Sequence, residues 1–444
     1  MARVGELQSV TTLIFHHEIH RLPPPSSGVI PVLMYGTRPP GRGTCCIGGP
    51  VRAEVRRLGA PVSRAGFDLL TIAMAITAAD TFVDKAEADD GWARVLRLSI
   101  PIADPDLWNP AVPLLQKALH FLSGDIWDIT LLPDGPRQLP SQRRGNITVM
   151  AGHDCVSLFS GGMDSGIGAL DLIALGRRPL LISHSYRGDS EKQILIRNQL
   201  PVNLSRFAAV AHPISGLGTQ SDVQMRTRSF NFLAYGTLVG ATLAQLRVAG
   251  PPVDLFVPEN GLIALNPPMT RRRIGALSTR TTHPHFLGLF QKVLSIVGLP
   301  VKVVNPYALK TKGEMLNECL DRASLSQLVS DTVSCGKWKR AHVQCGKCVP
   351  CIIRRASFHA AGMTDDTEYG KGQDLSSVMN DGKARDDLMA MILASRGLPH
   401  VDAARWILQA GPLPYGRQAR DDLIAVATRG MKEVQKYLAS LNLL

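Results

Sequence analysis

Val156-Ser157-Leu158-Phe159-Ser160-Gly161-Gly162-Met163-Asp164-Ser165 is the stretch of this 444-residue chain whose reading decides the fold. Val156 to Phe159 reads as a short buried strand, two glycines interrupt it, and Asp164 to Leu175 follows with a helical apolar pattern. A strand that turns through glycines into a helix makes a phosphate cradle. Glycine lets the backbone approach a phosphate closely and take positive φ, and the helix N-terminus offers unpaired N–H groups at the positive end of its dipole. Ser160 and Ser165 add hydroxyl donors. Asp164 is the odd member, because a carboxylate beside phosphates is unfavourable unless it serves a cation, and Mg2+ is the natural one. The plainer alternative is a strand-to-helix turn with an Asp or Ser cap.

The same texture continues downstream. Pro179 to Ser183 is the next buried strand, with Ser183 and His184 at its end as further candidates for contact with a nucleotide. Glu191 to Phe207 is the next helix, then come a strand (Ala208 to Ala211), a helix (Phe230 to Leu246), a strand (Val253 to Val257), a helix (His285 to Val297) and a strand (Val301 to Val304). Strands alternating with helices of this length predict an α/β fold with a doubly wound, mostly parallel sheet over residues 148–362. Residues 1–132 are expected to form an N-terminal α+β accessory domain: loop-rich to Pro50, then a helix (Phe67 to Val83), a strand (Ala93 to Ile102), a helix (Pro113 to Leu122) and a strand (Trp127 to Leu132). Residues 133–147 read as a linker, and 363–444 as a helical extension whose last helix places Leu423, Val426, Met431, Val434 and Leu438 on one face. The basic residues of that helix, Arg429 among them, are expected on a solvated face.

Cysteine placement supplies a second site. Cys335, Cys345, Cys348 and Cys351 lie within 17 of the 444 residues, a metal-site distribution rather than a disulfide framework. The x9, x2, x2 spacing suits a tetrahedral Zn2+; an iron–sulfur cluster is the alternative. Four protein ligands leave no open position for water, so a structural metal is expected. Composition bounds the rest: 45% apolar and 19% charged residues describe a folded protein, no apolar run approaches a membrane span, and no secretory signal is read, so a cytoplasmic protein is expected. The net charge of +12 leaves open nucleic acid, an anionic small substrate, or neither.

Ser160-Gly161-Gly162-Met163-Asp164-Ser165 matches the SGGxDS loop of the N-type ATP pyrophosphatases, which split ATP to AMP and pyrophosphate while adenylating a substrate. Cys345-Gly346-Lys347-Cys348-Val349-Pro350-Cys351 with Arg354 and Phe358 resembles the CGxCxxC–R–F tail of QueC, the 7-cyano-7-deazaguanine synthase family. Further likenesses fall in order along the chain: Tyr186-Arg187-Gly188 with Glu191, Arg226 and Arg228 before Phe230-Asn231-Phe232-Leu233, Thr311-Lys312-Gly313-Glu314, and Ser334-Cys335. The family lacks the first 150 and last 80 residues. A longer insertion, Glu259-Asn260-Gly261 through Arg271-Arg272-Arg273 to Ser278-Thr279-Arg280-Thr281-Thr282-His283-Pro284, replaces its Tyr-Pro-Asp-Cys-Arg segment. This layout resembles the QueC-like proteins of bacterial anti-phage operons, the Qat (QatC) system and type IV CBASS.

The resemblance implies an ATP-dependent ligase that adenylates 7-carboxy-7-deazaguanine, releases pyrophosphate, and forms an amide with ammonia or a protein amine; ammonia leads on to the nitrile preQ0. Asp164, Ser165, Arg228 and Lys312 are the expected catalytic residues, the last two for developing phosphate charge. Ser160 to Ser165, Ser183 and His184 are expected to hold ATP. Glu259 and Asn260, at the carboxyl end of the fourth strand, with Arg280 and His283, are the candidates for reading the substrate. His283 and His285 are spaced for a metal, but the cysteines already meet that demand. A partner from the same defence operon would be the protein acceptor. A tRNA- or DNA-modifying enzyme of the same loop class, and a non-catalytic nucleotide-binding subunit, are the competing readings.

Overall fold

The computed structural model describes residues 10–444 apart from 89, 139, 143, 185–187, 219–225, 248–249, 271–279, 339–341, 371 and 383–384. Tyr186, Arg187, Arg271, Arg272, Arg273, Ser278 and Thr279, on which part of the sequence reading rests, lie outside the described residues.

Two mostly parallel sheets organise the fold. The strands in chain order are β1 (Val10–His16), β2 (Val29–Gly36), β3 (Cys45–Gly48), β4 (Val95–Pro101), β5 (Ile126–Leu132), β6 (Cys155–Leu158), β7 (Pro179–His184), β8 (Arg206–Ala209), β9 (Ile214–Ser215), β10 (Val253–Phe256) and β11 (Val301–Val304). One sheet has the order β5-β4-β1-β2-β3-β9 and the other β11-β10-β6-β7-β8. In the second, the order runs outward from β6 through β7 and β8, and the later strands β10 and β11 lie on its other side. That reversal is the topological switch point of a doubly wound sheet, where ligands bind at the carboxyl ends of the strands.

By compactness the chain divides into two units, each assembled from three stretches: Met1–Gly152, Ser205–Leu255 and Gly288–Lys302; and His153–Leu204, Phe256–Leu287 and Val303–Leu444. In the first, β1 pairs in parallel with β2 (Leu13 opposite Ile30) and with β4 (Leu13 opposite Leu98). β2–β3 and β4–β5 are also parallel, and β9 is antiparallel to β3. The sheet is therefore α/β in character where the sequence suggested α+β, and the expected loop-rich start contains three strands. The reason is physical. Strands of a parallel sheet are short apolar runs without polar alternation, and here Pro31 sits inside β2 opposite Ile14.

The helix Arg64–Phe82 is capped by Ser63 Oγ, which accepts from the Gly66 N–H at 3.2 Å, and is buried on all sides. By length and composition it could cross a membrane, but 94% of that window is buried inside the fold, as in a core helix. Gly66 lets it approach the helix Arg228–Leu246; a Cβ there would lie 3.3 Å from Leu238 Cδ1. The described residues of 133–147 have irregular backbone, and Arg52, Arg56 and Arg57 of the helix Gly49–Arg57 donate to the carbonyls of Arg137, Pro140 and Asn146 among them.

A buried charge network ties this unit together. Arg94 donates to Asp80 Oδ1 and Asp125 Oδ2, each at 2.7 Å, and Lys85 donates to Asp125 Oδ1 at 2.7 Å. The other Asp80 oxygen accepts from both the backbone N–H and the hydroxyl of Thr227 at 2.8 Å, and Thr227 is the N-cap of the helix that Arg228 begins. Arg226 stacks 4.2 Å over the Trp92 ring and donates to the Ser123 carbonyl.

In the second unit, β6 and β7 pair in parallel, Val156 opposite Leu180. The predicted helix from Glu191 to Phe207 is shorter, Asp189–Asn198, because Pro201 and the turn before it end the run before β8. The helix Arg417–Ser440 buries Leu423, Val426, Met431, Val434 and Leu438 as its sequence pattern predicted.

Candidate active site

β6 delivers the chain to Ser160, and Gly161 turns it with φ of +80°, a conformation that disfavours any residue with a Cβ. Gly162 caps the helix Met163–Ala174. The loop is held from several sides within its unit. Ser160 Oγ accepts from the Gly162 N–H at 3.2 Å, Ser165 Oγ donates to the Gly162 carbonyl at 2.9 Å, and the two hydroxyls lie 3.3 Å apart. The Gly161 carbonyl accepts from the Val333 N–H at 2.9 Å. Gln193, absent from the sequence reading, reaches the carbonyls of Ser160 and His184 at 3.4 Å and packs beside Gly161. Ser183 is fully buried and donates to the Phe159 carbonyl at 2.9 Å, so its hydroxyl braces the approach to the loop. His184 is buried beside it at the end of β7.

Asp164, 6% exposed, is where the site converges. One carboxylate oxygen meets the Lys312 ammonium. The other accepts from the Asn260 backbone N–H at 3.0 Å and from Asn260 Nδ2 at 2.7 Å. Asn260 Nδ2 also lies 3.1 Å from Glu259 Oε1. Glu259 and Asn260 follow β10 after Val257 and Pro258, and Asp164 follows β6, so the two loops at the switch point supply the cluster. Gly168 permits that closeness: a Cβ there would lie 2.5 Å from Pro258 Cγ.

The local chain explains the presentation of each partner. Asn260 caps the short helix Gly261–Leu265, its Oδ1 accepting from the Ile263 N–H at 3.1 Å, which orients its Nδ2 toward Asp164. Lys312 is the first residue of the helix Lys312–Asn317, whose Thr311 and Glu314 form a capping box. Asn305 brackets Glu259 by accepting from its N–H at 3.4 Å and donating to its carbonyl at 2.9 Å.

Burial raises the carboxyl of Asp164, but the Lys312 charge and the bonds from Glu259, Lys312 and Asn260 override it and hold the group at about 2. Glu259 goes the other way, pushed well above the carboxylate range by burial and by the Asp164 charge. The two carboxyls face each other, so the charge on Asp164 opposes a second charge on Glu259. Adjacent carboxyl oxygens of this kind fit a hard divalent cation such as Mg2+.

The four predicted cysteines come together: their Sγ atoms all lie within 4.8 Å of one another, with Cys345–Cys351 and Cys335–Cys348 at 4.0 Å. That spacing suits thiolates around one tetrahedral ion and is too tight for a cluster of several irons placed between them, so the set is consistent with zinc. Arg354, fully buried, donates to the Thr332 and Val329 carbonyls and to the Thr332 and Thr367 hydroxyls, and so ties the helix Val349–Ala361 to the segment before Cys335.

The remaining predicted residues have these places. Arg228 begins its helix in the first unit. Arg280 is half-buried, and its carbonyl accepts from the His283 N–H at 3.2 Å. His283 is fully buried, and its Nδ1 accepts from the His285 N–H at 3.1 Å at the start of the helix Pro284–Val297; burial, His285 and Arg280 lower it to about 3.

Residues 281–362, which include Lys312 and all four cysteines, match the family model described as "Queuosine biosynthesis protein QueC". A 7-cyano-7-deazaguanine synthase of Novosphingobium aromaticivorans is 29% identical over 242 residues, covering 49% of this chain and 94% of that protein. One from Allorhizobium ampelinum is 36% identical over 69 residues, 16% of this chain and 27% of that protein, and one from Rhizobium leguminosarum bv. trifolii is 34% identical over 89 residues, 19% and 36%. No solved structure matches the chain. The chain is QueC-like, and about half of it lies outside the match to the Novosphingobium protein.

Proposed function

We propose that this chain is an ATP-dependent ligase that adenylates a 7-deazaguanine-type carboxylate, 7-carboxy-7-deazaguanine, releases pyrophosphate, and passes the acyl group to an amine. The observation that carries the reading is Asp164 in the Ser160–Ser165 loop, met by Lys312 from the QueC-like stretch and by Asn260 from the loop after β10.

The loop N–H groups and the Ser160 and Ser165 hydroxyls bind the β- and γ-phosphates. Asp164 and Glu259 would hold Mg2+, which supplies charge neutralisation on the phosphates when bound. The substrate carboxylate oxygen attacks the α-phosphorus, the bond from that phosphorus to the bridging oxygen breaks, and pyrophosphate leaves. The amine nitrogen then attacks the acyl carbon, AMP departs, and the nitrogen loses a proton. No residue need become a covalent intermediate; positioning and charge complementarity do the work. Lys312 balances phosphate charge when it turns from Asp164 to the nucleotide, and Arg228 is a second candidate on its sequence position. Arg280 would hold the substrate carboxylate, while His283, neutral and buried, shapes the helix start beside it.

The resemblance to QueC-like proteins of anti-phage operons supports a role in defence, with an amine of a protein from the same operon as acceptor. Incubation with ATP, Mg2+ and the deazaguanine acid should release AMP and pyrophosphate, and an amine should then be consumed. With ammonia the expected product is the amide or preQ0; with the partner protein it is a mass increase on that protein. Absence of acid-dependent pyrophosphate release under all these conditions would sink the proposal.

A further inference from the structure

Lys312 and Asn260 reach Asp164 from two short helices, Lys312–Asn317 and Gly261–Leu265. Helices of six and five residues are too short to hold their own direction. Both lie against one element, the helix Arg417–Ser440 near the end of the chain. Val426, Gly430 and Glu433 are spaced to share one face of it.

The contacts are close enough to require particular residues. A Cβ on Gly261 would lie 2.7 Å from Val426 Cγ1, and one on Gly430 would lie 3.0 Å from Leu262 Cβ, so two glycines let the backbones approach. At the other helix, the Thr311–Glu314 capping box satisfies the N–H groups of Thr311 and Glu314 but leaves that of Gly313. Glu433 Oε2 accepts from the Gly313 N–H at 3.2 Å, and Glu433 Oε1 accepts from the Thr311 hydroxyl. A Cβ on Gly313 would lie 2.6 Å from Glu433 Oε1, so the carboxylate enters only because residue 313 is glycine. Arg429 holds the outer side, donating to Glu314 Oε1 at 2.6 Å and to the Leu309 carbonyl at 2.9 Å.

We infer that the C-terminal helix is a working part of the ATP site, setting the reach of Lys312 and Asn260 to Asp164, with Glu433 as the positioning residue on the Lys312 side. It rests on the proposed adenylation only for its kinetic consequence. A carboxylate from a distant helix takes the place of a local cap, so displacement of the C-terminal helix moves the ammonium that faces Asp164. Lys312 itself needs no other change to be misplaced.

The test uses the full-length protein and three variants, Glu433→Ala, Glu433→Gln and Val426→Ala. Hydrogen exchange without substrate is expected to quicken by about tenfold at residues 311–317 in Glu433→Ala. In Val426→Ala it should quicken at 261–265 and not at 311–317. Pyrophosphate release by Glu433→Ala should fall about 10- to 100-fold in kcat, as misplacement by about 1 Å does, with zinc content and far-UV spectrum unchanged. The KM for ATP should move far less, and Glu433→Gln, which keeps a polar atom for each partner, should recover most of the loss. Wild-type exchange at 311–317 together with wild-type kcat in Glu433→Ala would overturn the inference. So would equal loss in Glu433→Gln and Glu433→Ala. A wild-type protein that releases no pyrophosphate would overturn the adenylation reading alone, and the exchange data would still decide whether this helix holds Lys312.

Discussion

Asn260 and Asp164 are joined twice, through the Asn260 backbone N–H at 3.0 Å and its side-chain amide at 2.7 Å, onto the same carboxylate oxygen. Asn260→Ala keeps the first bond, loses the second, and removes the cap on Ile263. It should lower stability by about 1 kcal/mol in urea unfolding and slow pyrophosphate release by about tenfold. Asp164→Asn, which abolishes the ion pair with Lys312, should slow it by about 10²- to 10³-fold. A rapid Asp164→Asn enzyme would show that the loop holds phosphate without this carboxylate.

Glu433 makes a pH-dependent contribution whose sign is fixed. Burial pushes its carboxyl up from 4.5 to about 7, against the bonds from Thr311 and Gly313. A raised acid contributes stability that is complete below its ordinary value and disappears as pH rises through about 7. The wild-type chain should therefore lose up to about 3 kcal/mol across that window relative to Glu433→Gln, which cannot titrate. Parallel urea titrations of the two proteins measure the difference. A difference that grows in the opposite direction would contradict the assignment.

The cysteine set should bind about one zinc ion per chain, and the protein should be colourless, without the visible absorption of an iron–sulfur centre. Cys348→Ser should release the metal and lower Tm by roughly 5–15 °C, because structural zinc contributes directly to folding. Elemental analysis and thermal melting of both proteins check this. Stoichiometric iron would replace the zinc reading.

Arg94 lies between two aspartates in the first unit. Burial works against its charge, but Asp125 and Asp80 outweigh it and raise its pKa. Arg94→Met would leave the Asp80 carboxylate with only Thr227 as a partner among the described residues and should cost about 3–5 kcal/mol in urea unfolding. Arg94→Lys should not restore the loss, since an ammonium cannot reproduce the forked contacts.

The parts legible in the sequence were those written locally. Ser160 to Ser165 reads as a strand, a turn and a helix start within a few residues, and Thr311 with Glu314 announces a helix N-terminus at capping-box spacing. The cysteines declare themselves by number and spacing. β1 to β3 were hidden because short apolar runs between Pro23, Pro39 and the surrounding glycines look like loop until they find each other in a sheet. Arg429 is exposed, as its place opposite the apolar stripe suggests, but its pairing with Glu314, 115 residues away, has no local sequence signal. Glu433 likewise meets Thr311 across 122 residues, and no local pattern encodes such a bond. The bond from Asn260 to Asp164, a partner 96 residues away, likewise has no local sequence signal.

The interleaving of the two units governs how the chain is made. The first unit needs Gly288–Lys302 and the second begins at His153, so a nascent chain has started the second long before the first is complete. Asp80 must wait 147 residues for Thr227. At translation speeds of about 5–20 residues per second, that wait lasts many seconds, with the apolar helix Arg64–Phe82 outside the ribosome before its packing partner. Synthesis rate and chaperone supply should therefore affect the yield of folded protein more than they would for two units laid end to end.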